Sequence, residues 1–155
     1  MYPRSKDYIS LIYANFFYLI SAVLLRLPPT AACMFWNVFC RLIGSRTRFF
    51  WESKKNLFFA KENQRKMYFA NMRRGFDCYT LGVEKRGQTL QDSYLLGKVY
   101  FGFDDILIDC GANYGDLFIG LRDKINIKNY YCVEPAPEEF RSLSASWPAA
   151  KHRQI

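Results

Sequence analysis

The chain contains a single histidine, His152, among its 155 residues. Its five cysteines (Cys33, Cys40, Cys78, Cys110 and Cys132) include no C-x-x-C pair, and their number is odd. A zinc site built from His and Cys is therefore excluded, and the thiols read as reduced, small apolar residues of a cytosolic protein. Acidic residues are also few, 14 against 22 Lys and Arg, which leaves a net charge of +8 and favours acidic partners. The dinucleotide signature G-x-G-x-x-G is missing, as are internal repeats and low-complexity tracts. What the chain does have is apolar bulk. Hydrophobic residues make up 50% of it and aromatics 18%, too much for a disordered chain, and its length allows one domain with a real core.

The most informative stretch is Asp105 to Asp116, DILIDCGANYGD, answered by Tyr130 to Pro137, YYCVEPAP. The first predicts a short buried strand over Ile106, Leu107 and Ile108 that ends in Asp109. It then turns through Gly111–Gly115 into a helix. The second predicts a strand over Tyr130–Val133 that ends in Glu134. Strand, glycine turn, helix and strand make a βαβ unit, and such units hold ligands beyond the carboxyl ends of their strands. Asp109 and Glu134 are 25 positions apart, the span of one such unit. Two glycines let a ligand lie on the main chain, and the free N–H groups of a helix start add partial positive charge. Carboxylates at adjacent strand tips can accept hydrogen bonds from the vicinal hydroxyls of a ribose. Glu134 has no packing purpose that the sequence reveals.

A dinucleotide would need a glycine where Asn113 stands, so that the pyrophosphate could approach. Acids at Asp109 and Asp116 oppose that group further. They suit S-adenosylmethionine, a sulfonium with an amino-acid tail and one ribose.

The motifs D-x-G-A-N-x-G and V-E-P-x-P resemble those of the FkbM-type S-adenosylmethionine-dependent methyltransferases, a branch of the class I Rossmann-like enzymes. The matching residues are Asp109, Gly111, Ala112, Asn113 and Gly115, then Val133, Glu134, Pro135 and Pro137, within roughly residues 104–146. The resemblance implies that the Asp109–Gly115 turn (Asp109, Gly111, Ala112, Asn113, Gly115) cradles the methionine part of the cofactor and that Glu134 binds the ribose. It also implies methyl transfer to an oxygen, on a sugar or glycan-like acceptor. Such domains continue through about five further strands, so the chain reads as the front part of a methyltransferase, with Lys151–Ile155 starting a third strand, and inactive as it stands. No catalytic residue is assignable. The other readings are a non-catalytic nucleotide-binding or membrane-anchoring fragment and, disfavoured by Asn113, an NAD-dependent oxidoreductase.

The expected architecture is thus α/β. An incomplete Rossmann-like sheet over residues 105–155 follows an apolar helical region, 1–45, and a hairpin with a helical connector, 46–104. Residues 8–25 are uncharged and would extend about 27 Å as a helix, just short of a bilayer's hydrocarbon thickness. Pro28-Pro29 and a second apolar segment, Thr30 to Gly44, follow, with Thr30 as the expected cap. Residues 8–43 are read as a membrane-surface or spanning region, or as a packed helical pair, with the cofactor site facing the cytosol. Thr47 to Lys61 predicts a β-hairpin. Met67 to Arg74 reads either as a helix or as a continued meander. Thr89 to Leu96 predicts a helix stopped by Gly97; segments of this kind lie over the cofactor in the resembled family, which would place Gln88 or Tyr94 at the pocket. Glu138 to Ala145 predicts another, ended by Trp147-Pro148. Basic residues interleave with aromatics between Arg46 and Arg74, but no nucleic-acid-binding signature accompanies them.

Overall fold

The computed structural model describes residues 26–102 and 104–154. The apolar run 8–25 expected to form a helix lies outside them. Among the described residues no helix is long and apolar enough to cross a membrane.

The first helix among the described residues, α1 (Pro29–Leu42), starts earlier than expected, and Thr30 is not its cap. Pro29 occupies the first helical position, where its missing N–H costs nothing, so no side-chain cap is needed. Gly44, at φ +75, turns the chain out of the helix. Strands β1 (Arg48–Glu52), β2 (Leu57–Glu62) and β3 (Arg65–Phe69) then form an antiparallel sheet in that order. The hairpin is as expected, and the ambiguous stretch divides. It stays a strand to Phe69, and a new helix, α2 (Met72–Tyr79), begins after Asn71, whose side chain accepts the Arg74 N–H.

Both edges of this sheet are closed by side chains. Asn37 on α1 exchanges two hydrogen bonds with the Phe49 backbone on β1, at 2.7 and 2.9 Å. On the far edge Ser146 Oγ accepts the Tyr68 N–H at 2.8 Å. Edge groups left unpaired would template aggregation; here they are used internally. Under the sheet lies an aromatic core. The Phe76 ring stacks on Trp36 at 4.7 Å and meets Phe49 edge-on at 4.8 Å, with Phe58 and Phe69 beyond. Pairs of this geometry add about 0.5–1.5 kcal/mol each beyond the area they bury.

Helix α3 (Val83–Ser93) begins earlier and ends earlier than the expected 89–96. Gly97 is not its stop: Leu95 adopts the left-handed conformation, φ +56, and Gly97 lies within a 3-10 turn, Leu96–Lys98. The second sheet is parallel, with strands β4 (Leu107–Cys110), β5 (Tyr130–Val133) and β6 (Lys151–Arg153) in that order. β5 has the predicted limits and β6 forms where a third strand was expected; β4 is displaced by a residue or two toward the turn and is not the buried strand expected, since Ile106 and Ile108 face solvent. Helix α4 (Asp116–Leu121) follows β4, and α5 (Pro137–Ser146) follows β5.

The two sheets are packed together. Tyr114 and Ile119 belong to the aromatic core under β1–β3, and Trp147 touches both cores, so packing crosses the expected division at residue 104. Helices α3 and α4 meet at Gly87 and Gly120, where a Cβ on Gly120 would lie 2.8 Å from the Gly87 carbonyl oxygen. The architecture is α/β, with one antiparallel and one parallel sheet.

Candidate cofactor-binding site

In the parallel sheet, Asp109 is aligned with Cys132, and Glu134 follows directly on Val133, the last residue of β5. Because side chains alternate across a strand, Asp109, Cys132 and the position of Glu134 share one face of the sheet. Both acids therefore lie at the carboxyl end of adjacent parallel strands, on the same side. Burial raises the Asp109 pKa, and the negative charges of Asp116 and, less strongly, Glu134 push it the same way. Tyr130 opposes the shift by donating its hydroxyl to Asp109 Oδ2 at 2.5 Å.

The bend between β4 and α4 is anchored on β5. The N–H groups of Gly111 and Ala112 both donate to the Val133 carbonyl, at 2.8 and 3.1 Å. Gly111, Asn113 and Gly115 all have positive φ, +78, +52 and +81. Those conformations explain the two glycines, and Asn is the side chain that tolerates the third. The glycines nevertheless differ. A Cβ on Gly111 would meet nothing within 4 Å, so the backbone there is open to a ligand. A Cβ on Gly115 would lie 2.4 Å from Trp147 Cδ1, and its carbonyl accepts the Trp147 indole N–H at 3.0 Å. Gly115 is buried against Trp147, and packing alone accounts for it.

Glu134 does have a structural purpose, contrary to the expectation from sequence. It is only 6% exposed, and its two oxygens accept the Asn113 N–H at 2.7 Å and the Ala136 N–H at 2.9 Å. One carboxylate thus ties the bend to the start of α5. A carboxylate has about four acceptor positions, so these bonds leave capacity for a ligand's hydroxyls. Asn113 Oδ1, by contrast, is buried with no hydrogen-bond partner, an acceptor left unsatisfied within the chain. Ala112 is buried beside it and fills the space between bend and core.

Asp116 does not present its charge to the bend. It is 4% exposed, ion-paired with Arg86 Nε at 3.0 Å, and accepts the Tyr79 hydroxyl. Burial raises the pKa of Asp116 and, more strongly, that of Tyr79. The field of Asp116 still reaches Asp109, whose pKa it helps to raise, so the negative charge that disfavours pyrophosphate comes from Asp109, Glu134 and Asp116 together. Helix α4 has only six residues and cannot offer the dipole that a longer helix would.

The partners Tyr130, Trp147, Tyr79 and Arg86 carry no linear signal; they lie 21, 32, 37 and 30 residues from the groups they hold. Gln88 bonds Asp92 on the exposed side of α3, and Tyr94 is 65% exposed. A cavity of about 570 Å³ lies between Gly97–Phe101 and Asp123–Lys124 and includes none of the six predicted site residues. All five cysteines are free, and burial pushes Cys132 and Cys33 up to about 12, which makes them inert. No cluster of metal-ligating side chains occurs among the described residues. No protein-family model, curated protein or solved structure matches this chain.

Proposed function

We propose that the β4–β5 site binds S-adenosylmethionine, and that the chain carries the cofactor-binding half of a class I, FkbM-type methyltransferase. One observation carries the reading. Asp109 and Glu134 lie on one face at the tips of adjacent parallel strands, over a bend that is open at Gly111 and holds the unpartnered Asn113 Oδ1. The strand order β4-β5-β6 supports it, because the first half of a doubly wound sheet runs 1-2-3 outward from its centre.

In this reading Glu134 accepts the ribose hydroxyls with the lone pairs that Asn113 and Ala136 leave over. Asp109 faces the amino-acid tail and attracts its ammonium group. Asn113 Oδ1 supplies a further acceptor, and Gly111 lets the ligand approach the backbone. The two carboxylates give the site a negative field that favours a cation and repels pyrophosphate. The bound sulfonium supplies an electrophilic methyl group, and the protein's part is to hold it in line with an acceptor oxygen. The acceptor we propose is a hydroxyl on a sugar or glycan.

The acceptor side would be built beyond β4. That strand has no partner on its other edge among the described residues, and Ile106 and Ile108 stand 63% and 64% exposed on the sheet's other face. A doubly wound sheet continues there, covered on both faces. This chain therefore binds the cofactor, and transfer requires the elements that complete the sheet.

Titration calorimetry with S-adenosylhomocysteine and with NADH tests the reading. Heat from the first alone supports it. Equal binding of NADH, or S-adenosylhomocysteine binding untouched by Asp109→Ala and Glu134→Ala in folded variants, overturns it. The non-catalytic alternative is distinguished by supplying the completing half in trans: methyl transfer to a glycan supports the enzyme reading, and its absence despite binding supports the other.

A further inference from the structure

Helix α1 is apolar almost all round. Ala32, Cys33, Trp36 and Cys40 are buried against the aromatic core. The opposite face is apolar too: Met34 is 70% exposed, Val38 57% and Leu42 80%, with Phe35 at 47% beside them. Successive positions four apart place Met34, Val38 and Leu42 in one row along the helix. A helix that is hydrophobic on every side normally belongs in a core or in lipid. Only half of α1 has a core.

Along the sequence the charge of this segment is of one sign, and the acid that lines a groove with Leu27 and Pro29 at the start of the helix, Glu138, comes from α5. Between Asp7 and Glu52 the sequence contains no acidic residue, but it has Arg26, Arg41, Arg46 and Arg48. Arg48 spends its guanidinium on the Ser45 and Thr47 carbonyls. Arg26, Arg41 and Arg46 are exposed, at the two ends of the helix and along its apolar row. A water-soluble protein partner would have to be both apolar and acidic over one helix length. The surface of an anionic bilayer has both properties as a matter of course.

We infer that the Met34–Val38–Leu42 face of α1 docks on an anionic lipid surface, lying in the plane of the interface with Phe35 at its side and the arginines on the headgroups. The helix does not span. Its inner face stays on the Trp36–Phe76 core, so the bilayer replaces water on the outer face only. The site over β4 and β5 would then be held beside a membrane, a placement that does not depend on what that site binds.

Flotation of the full chain with vesicles tests this. The chain is expected to float with phosphatidylcholine–phosphatidylglycerol vesicles and more weakly with phosphatidylcholine alone. Val38→Glu with Leu42→Glu should lower partitioning by at least about tenfold, since each side chain moves a charge into the buried face. Arg41→Gln and Arg46→Gln should each cost about fivefold on the anionic vesicles only. The melting temperature of the double glutamate variant should match that of the parent, because both positions face water in the free protein.

Three results would overturn the inference. The first is a parent chain that stays unbound. The second is a double variant that floats as the parent does, which would place the contact in residues 8–25. The third is a double variant that melts lower or breaks up a dimer, which would mean that protein already covers the face.

Discussion

The two sheets are built to different rules. The antiparallel sheet β1–β3 has both edges stitched by side chains from distant helices and rests on Trp36, Phe49, Phe58, Phe69 and Phe76. The parallel sheet β4–β6 leaves one edge of β4 without a partner among the described residues and two isoleucines in water, and it gathers its polar groups at one end. Aromatic packing gives the first its stability. The second keeps exposed backbone, an unpartnered amide oxygen and a half-buried acid within a few residues of one another, none of which stabilises a fold. With the proposed site, stability and recognition would fall to neighbouring sheets that share Tyr114, Ile119 and Trp147.

The sharpest break of that division is Phe76→Ala, which removes a ring touching four others. It should destabilise the chain by about 3–5 kcal/mol in a urea or thermal melt. A comparable truncation on the exposed side of the parallel sheet, Ile108→Ala, should change the same melt by less than about 1 kcal/mol.

The two glycines of the bend separate the roles within a few residues. Gly115→Ala forces a methyl group into Trp147 and should cost about 2–3 kcal/mol of stability. Gly111→Ala has open space and only its positive φ to pay for, about 1 kcal/mol. Its larger effect should fall on S-adenosylhomocysteine affinity, measured by calorimetry. If Gly111→Ala binds normally, the ligand does not lie where the site requires.

The acids should behave conversely. Asp109→Asn keeps an acceptor for the Tyr130 hydroxyl and removes a charge that burial disfavours, so the melt should be nearly unchanged. Affinity for S-adenosylmethionine should fall about tenfold, or about 1.4 kcal/mol, since an ionised partner adds that much to a hydrogen bond. Glu134→Gln retains one acceptor and can keep only one of its two backbone bonds. It should lower both affinity and stability.

Much of this could be read along the chain because the relevant signals are local. The hairpin, β5, α5 and the β4 turn each have their apolar runs, glycines and prolines in a short window. The failures share a cause. Thr30 reads as a cap only if the Pro28-Pro29 pair is not already the helix start, and Gly97 reads as a stop only if Leu95 cannot take the left-handed turn. The charge of Asp116 looked available because Arg86 and Tyr79 are invisible from its neighbours. Glu134 looked functional alone because backbone amides, which every sequence has, are what it holds. Side-chain chemistry is legible from sequence; the backbone's claim on that chemistry is not.

The smallest effect concerns the sign of pH dependence, which the two sheets should give in opposite directions. On the antiparallel sheet Glu52 bonds Lys55, Lys66 and Tyr68, and these bonds lower its pKa from an ordinary 4.5 to about 2. Between those values the unfolded chain binds the extra proton, so this contribution is present above pH 4.5 and is lost as the pH falls toward 2. On the parallel sheet burial raises Asp109 above its ordinary 3.8. There the folded chain binds the extra proton. That contribution is complete below 3.8 and is lost as the pH rises through the raised value. Glu52→Gln should therefore flatten the acid limb of a plot of melting temperature against pH, and Asp109→Asn should flatten the limb just above 3.8. Ligand binding adds a check on the second site alone. A cationic cofactor needs Asp109 ionised, so its affinity should decline as the pH drops through that raised pKa, and Asp109→Asn should remove the decline. If the variant and parent lose affinity in parallel, Asp109 is not the acid that senses the ligand.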